Sequence, residues 1–296
     1  MTHTSLGAHM DAELTSQPQT WARAADVAQT APLPQSGARV MALGCGTSWF
    51  MAQCYAALRE QHGAGVTDAF AASEAPLDRD YDAAIVLSRS GTTTEAIAAA
   101  RELAGRVRVI GIVADPNTPL AEVVDDLITL DFADEKSVVQ TRFATTALTL
   151  LRAGLGLDVG TSIADAEAVL KAPIDQALVT ADQVTFLGSG WTVGLAHEAA
   201  LKNREASQAW TESYPAMEYR HGPIAIAAGG RATWMLGTAP DGIAADVAAT
   251  GAHYVEHPGN DPLAELVLTQ RVALARARHA GLDPDQPRAL TRSVIL

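Results

Sequence analysis

The chain has 296 residues, 48% hydrophobic and 19% charged, which is enough apolar content for substantial cores and a length that suits two domains better than one. Its 21 basic residues face 34 acidic ones, and the net charge of −13 would repel a phosphodiester backbone, so nucleic acid is not an expected partner. The two cysteines, Cys45 and Cys54, are too few for a disulfide framework or a Cys-built metal site; with no leader pattern at the start and no apolar run of membrane-spanning length, a cytoplasmic protein with reduced thiols is expected.

In chain order, the first apolar runs are "ARVMALG" (38–44), "DAAIVLS" (82–88), "VRVIGIV" (107–113) and "DLITLD" (126–131), separated by segments with helical periodicity or Ala enrichment. That alternation predicts a parallel sheet covered by helices on both faces. A long helical pattern over 141–157 and a looser acidic segment follow, and then the alternation restarts with "VTFLGSG" (184–190), a long helix, "RATWMLGT" (231–238) and "AHYVEH" (252–257). Two α/β domains are expected, with a seam near 160–180. Both halves begin strand, Gly-x-Gly turn, helix, in "VMALGCGTSWFMAQCYAAL" and "VTFLGSGWTVGLAHEAAL", which makes an internal duplication plausible.

The stretch "SRSGTTTE" places five hydroxyls, Ser88, Ser90, Thr92, Thr93 and Thr94, where a strand gives way to a helix. In an open parallel sheet the ligand crevice lies at that end, where helix N-termini present unsatisfied N–H groups and partial positive charge. "GCGTS" adds Thr47 and Ser48 at another strand end. Helix capping accounts for one or two of these hydroxyls; seven at two strand ends point to a phosphate site. A phosphate-binding loop ending in Gly-Lys-Ser/Thr is absent, and "GCGTSW" lacks the third glycine of a dinucleotide fingerprint, so the expected ligand is one small phosphate monoester. The eight histidines show no ligand spacing with partner acids, so neither a metal nor a cofactor is called for.

"GCGTS", "SRSGTTTE", "SVVQTRFATT", "LGSGWTVGLAHEAALKNREAS", "ESYPAMEYRHGPIAI" and the tail "DQPRALTRSVIL" together resemble the sugar isomerase (SIS) domain family. Within it they are similar to the tandem-SIS isomerase half of glucosamine-6-phosphate synthase, without a counterpart of its glutaminase domain. The resemblance implies an α/β fold of two SIS-type, three-layer, parallel-sheet sandwich domains, drawn here as an N-terminal arm 1–22, a phosphate-binding domain 23–165 and a catalytic domain 166–296. It implies phosphate contacts at Thr47, Ser48, Ser88, Ser90 and Thr93, in agreement with the hydroxyl cluster, and sugar contacts at Gly46, Gln140 and Arg292. Arg89 stands where the synthase has Gln, and an added cation there would favour an anion.

Glu198, Lys202 and Glu205 are spaced by four and three and therefore share one helical face. Taken alone, that spacing is an exposed Glu–Lys ladder. The resemblance instead makes Glu205 the base that moves the C2 proton, with Glu198 and Lys202 in support. It makes His221 the ring opener, supplied by a neighbouring subunit, and hence implies a homodimer. Arg292 replaces the Schiff-base lysine, and guanidinium is a poor nucleophile at carbonyl carbon, so covalent capture of a ketose is not expected. Gln140 replaces a serine near the sugar, which leaves the sugar's substituents open. The leading expectation is an isomerase/deaminase of an aldose 6-phosphate of the glucosamine 6-phosphate type. The alternatives are a lyase that dehydrates N-acetylglucosamine 6-phosphate and a sugar-phosphate sensor without catalysis; a sugar phosphate is the expected small-molecule partner in each.

Overall fold

The computed structural model describes residues 6–296. The chain is α/β and divides into two compact units, each assembled from separate stretches of sequence. One, the five-stranded unit, comprises Gln19–Glu135, Arg142–Val159 and Thr291–Leu296; the other, the four-stranded unit, comprises residues 6–18, Lys136–Thr141 and Gly160–Leu290. These boundaries are not the linear ones at 22/23 and 165/166. Residues 6–18 group with the four-stranded unit, the last six residues group with the five-stranded unit, and the expected seam region folds as two short helices.

In the five-stranded unit β1 (Val40–Gly44), β2 (Thr67–Ala71), β3 (Ala83–Leu87), β4 (Arg108–Val113) and β5 (Asp126–Thr129) form one parallel sheet, ordered β2-β1-β3-β4-β5. Every residue of β1 and β3 is buried. That requires cover on both faces, which is why these strands read as continuous apolar runs. Side chains alternate, so Met41, Leu43, Ala84, Val86 and Val109 join one cluster with Ile97, Ala100 and Leu103 of α4 (Thr94–Leu103), while α3 (Thr47–Gln61) packs against β1 and β2. The long expected helix is α5 (Arg142–Gly154).

In the four-stranded unit β6 (Gln183–Gly188), β7 (Trp210–Pro215), β8 (Arg231–Leu236) and β9 (His253–Glu256) are parallel in the order β7-β6-β8-β9. On one face Leu187 and Met235 pack with Ile243 and Val247 of α9 (Ile243–Ala249). The helices α8 (Thr192–Ser207) and α10 (Pro262–His279) pack on one another, and α8 lies along β6 and β7. The remaining helices are α1 (Ala8–Thr15), α2 (Gln17–Ala28), α6 (Gly160–Val169) and α7 (Gln176–Thr180). Met10 and Leu14 of α1 join Val139, Ala206, Ala273 and Leu274 in a small core of this unit.

All seven strands expected from sequence are present. The two that sequence reading omits, β2 and β7, are both edge strands with mostly half-exposed residues, "TDAFA" and "WTESYP", so they lack the apolar run that marks the central ones.

Candidate functional site

The hydroxyl turns lie side by side in the five-stranded unit. β1 and β3 are hydrogen-bonded neighbours with Leu43 opposite Val86, so the turns that follow them open at the same end of the sheet. Gly44 must be glycine because a Cβ there would stand 2.4 Å from the main-chain carbon of Ser48, and Gly91, at φ +60, because a Cβ would stand 2.1 Å from Thr118 Oγ1. Gly44 draws the first turn tightly onto α3, and Gly91 lets the second lie against Thr118. Thr47, Ser48, Ser88 and Arg89 are each only 5 or 6% exposed.

Within the second turn the hydroxyls organise the backbone. Ser88 Oγ accepts from the Gly91 N–H at 3.2 Å, Ser90 Oγ accepts from the Thr92 N–H at 3.2 Å, and Ser90 Oγ stands 3.5 Å from Thr93 Oγ1. Among the described residues the hydroxyls of Thr47 and Ser48 bond to nothing, although both are buried. Cys45 sits between these elements; burial, with the Glu95 carboxylate adding to it, pushes its thiol up and keeps it protonated.

Arg89 and Arg292 are engaged otherwise than an anion-binding role would require. Arg89 Nη1 is 3.6 Å from Glu135 Oε2, a nearly fully buried pair, and Nη2 donates to the Arg292 carbonyl at 3.2 Å. Glu135 also accepts from the Arg142 and Phe143 N–H groups at 2.7 and 3.2 Å, capping α5. The charge added at position 89 is thus balanced by a carboxylate inside the same unit. Arg292 donates to the Glu135 carbonyl and the Asp134 carboxylate, which commits both its terminal nitrogens to fixing the tail. Three further bonds fasten the tail to the turn: the Thr94 N–H to the Val294 carbonyl (3.1 Å), Thr92 Oγ1 to Ser293 Oγ (3.0 Å) and the Leu296 N–H to Thr94 Oγ1 (3.0 Å).

The carboxylate–lysine constellation belongs to the four-stranded unit, on α8. Glu198 and Lys202 are completely buried; Lys202 Nζ lies 3.5 Å from Glu198 Oε1 and is hydrogen-bonded to Glu205 Oε2. An exposed ladder worth a few tenths of a kcal/mol does not describe this. Burying an ammonium between two carboxylates carries a desolvation cost of several kcal/mol per ion, which a purely structural helix has no reason to bear. Of the three, only Glu205 reaches solvent, with 20% of its side chain exposed, and it lines an open cavity of about 420 Å³ together with Leu201, Arg204, Gln208, Arg288 and Ala289.

His221 ends a short turn after β7, exposed, its imidazole making no hydrogen bond among the described residues, and it does not line the Glu205 cavity. Gln140 follows Val139, which packs with Ala206 beside Glu205; the Gln140 side-chain nitrogen is buried and unbonded among the described residues. The structure therefore gathers Gly46, Thr47, Ser48, Ser88, Arg89, Ser90, Thr93 and Arg292 in one unit and Gln140, Glu198, Lys202, Glu205 and His221 in the other.

Sequence reading missed three features of this region. Arg204 beside Glu205 donates to the Thr211 carbonyl at 3.1 Å. His197 Nδ1 lies 2.9 Å from Ser213 Oγ, and burial, with Arg204 adding, pushes its imidazole down. Gln208 and Ala289 are non-glycine residues at φ +54 and +59, and both line the Glu205 cavity. Arg204 lies inside the quoted helix motif, in "REAS", but its pairing across to β7 has no local signature.

Residues 33–153 match the SIS domain model, a stretch that falls almost wholly in the five-stranded unit. The chain resembles in sequence the glutamine–fructose-6-phosphate aminotransferases (isomerizing) of Pyrobaculum aerophilum, 27% identical over 78% of this chain and 46% of the relative, and of Gloeobacter violaceus, 29% identical over 87% and 52%. It spans about half the length of these curated relatives. In fold it is similar to glucosamine-6-phosphate deaminase from Thermotoga maritima, with TM-score 0.80, 24% identity and coverage of 97% of this chain and 100% of that one. The C-terminal domain of glucosamine-fructose-6-phosphate aminotransferase from Francisella tularensis is also similar, with TM-score 0.74, 20% identity and coverage of 94% and 98%.

Proposed function

We propose that the chain is a tandem-SIS isomerase/deaminase of an amino-sugar 6-phosphate. The observation that carries this reading is the buried Glu198–Lys202–Glu205 set, which presents one carboxylate, Glu205, to a cavity. The fructose 6-phosphate and the isomerising activity in the relatives' name support a hexose 6-phosphate as substrate class.

In this reading the phosphate is held by Ser88, Ser90 and Thr93 with the unspent hydroxyls of Thr47 and Ser48, and Gly46 leaves room for it. Gln140 offers its amide N–H to the sugar. The open-chain aldose loses its C2 proton to Glu205; the C2–H pair becomes the C1–C2 double bond and the carbonyl pair moves to O1 as an enolate, with the amino group still on C2. Return of the proton to C1 leaves an imine at C2 when that carbon carries an amino group, and water releases ammonia and the ketose phosphate. Lys202, enclosed by Glu198 and Glu205, holds the base in place from behind. Arg292 serves the tail instead of the carbonyl carbon, since both its terminal nitrogens are engaged.

His221 is proposed to open the sugar ring in the site of a second copy, in a homodimer, because it is exposed and lies outside the Glu205 cavity of its own chain. Mixing Glu205→Gln with His221→Asn chains tests this: a shared site restores about a quarter of the wild-type rate, one intact site in half of the dimers. A site contained in one chain restores none.

The reaction is tested by proton NMR with glucosamine 6-phosphate and, separately, N-acetylglucosamine 6-phosphate, with ammonia assayed in parallel. Fructose 6-phosphate and ammonia from the first sugar support the reading. A vinylic product from the second without ammonia replaces it with dehydration, and binding of both sugars without turnover replaces it with sensing.

A further inference from the structure

Deprotonation at C2 puts a full charge on O1, and an enzyme that uses a carboxylate base needs a donor for that oxyanion. Lys202 is the obvious candidate by sequence, but its burial is complete, it is held by Glu198 and Glu205, and it does not line the cavity into which Glu205 opens. Two other cations do line that cavity, Arg204 and Arg288. Arg204 is exposed too, but its Nη1 donates to the Thr211 carbonyl and stands 3.4 Å from the Thr211 hydroxyl, which ties it to β7. Arg288 is exposed at the mouth, and among the described residues its guanidinium donates to nothing.

The backbone around Arg288 points the same way. Among the described residues only Gln208 and Ala289 are non-glycine residues in the left-handed region, and both line this one cavity, Gln208 at the end of α8 and Ala289 next to Arg288. A residue with a Cβ in that conformation costs about 1–2 kcal/mol, and such strain collects where a side chain has to be presented in one direction. The turn at Ala289 brings Arg288 and Leu290 together into the lining opposite the α8 residues Leu201 and Glu205.

We infer that Arg288 is a catalytic residue that donates to O1 of the substrate and holds the enolate that forms when Glu205 removes the C2 proton. This rests on the proton-transfer reading of Glu205. The planar fork of a guanidinium suits it, since it can give parallel N–H bonds to O1 and an adjacent oxygen and cannot itself lose a proton.

The test is C2 proton exchange from glucosamine 6-phosphate in deuterated water, followed by proton NMR for wild type, Arg288→Ala and Arg288→Lys, with thermal unfolding as the control for folding. Loss of the exchange rate by about 100-fold in Arg288→Ala is expected, with KM changed less than about threefold, because the bond is made to the transition state. Arg288→Lys should recover part of the rate, and free guanidinium ion added at low, non-denaturing concentration should rescue Arg288→Ala but leave the wild type unaffected. An exchange rate in Arg288→Ala equal to wild type, or a loss confined to KM, overturns the inference and leaves the Glu205 reading standing. So does a lost rate that guanidinium fails to rescue and that accompanies lowered thermal stability, which assigns Arg288 to holding the chain together. Absence of exchange in the wild type overturns the Glu205 reading and this inference with it.

Discussion

After β1 the chain runs Gly44, Cys45, Gly46 into α3, and after β6 it runs Gly188, Ser189, Gly190 into α8; the second glycines sit at φ +54 and +57. A Cβ on Gly44 or Gly188 would stand 2.4 or 2.3 Å from the backbone of the following helix. The two turns are thus the same device for laying a helix tightly against the end of a strand. They differ in how the hydroxyls are used. In the second, Thr192 Oγ1 accepts from the Ser189 N–H at 2.8 Å and lies 2.8 Å from the Leu236 carbonyl, to which it donates, tying the turn to β8. In the first, Thr47 and Ser48 are buried residues whose hydroxyls bond to nothing among the described residues. Matching backbones therefore use their hydroxyls differently: one turn has closed its hydrogen bonds on itself, and the other leaves them open, as the proposed phosphate contact requires.

The strongest way to break the comparison is to remove the shared element. Gly44→Ala and Gly188→Ala should each destabilise by about 1–3 kcal/mol or prevent folding, because a methyl group meets main chain and not a flexible side chain; urea unfolding measures it. Equal penalties would confirm that the two turns are one device mechanically. A tolerated Gly188→Ala would show that the second turn can relax and that the likeness is superficial.

Single hydroxyl removals sharpen it. Thr192→Ala should lower stability by about 1–2 kcal/mol, since it orphans a buried N–H and a carbonyl, and leave sugar-phosphate affinity unchanged. Ser48→Ala should do the reverse, weakening glucosamine 6-phosphate binding by roughly 5- to 10-fold in calorimetry at nearly constant unfolding temperature. If Ser48→Ala costs stability and no affinity, the first turn is structural too.

A smaller effect concerns His197, whose imidazole is pushed down by burial and by Arg204. With the folded value below the unfolded one of about 6.5, the unfolded chain binds more protons as pH falls, so stability is full above about pH 6.5 and declines below it. His197→Asn should flatten that slope between pH 7 and 5 in urea titrations, and an unchanged slope would assign the decline to other groups.

The central strands, the Gly-x-Gly turns and the hydroxyl cluster were legible from sequence because each is a local pattern: an apolar run, a glycine pair, hydroxyls at a strand end. The edge strands β2 and β7 were not, since half-exposed strands dilute the apolar signal. The spacing of Glu198, Lys202 and Glu205 gave their shared face but not their burial, which depends on α8 packing against α10 and the sheet. Arg89 shows the limit most clearly. Its place between two serines suggested an anion, whereas its partner, Glu135, lies 46 residues away and is visible only in three dimensions. The same holds for Arg292 and for the cavity that joins Glu205 to Arg288 across 83 positions of sequence.

The most direct test is the rate at which Glu205→Gln exchanges the C2 proton of glucosamine 6-phosphate in deuterated water, set against its affinity for the same sugar. The account predicts exchange reduced by at least about 1000-fold with affinity within a few-fold of wild type, because the amide keeps the shape of the carboxylate and cannot take the proton. Exchange at the wild-type rate in that variant would contradict it and require another base.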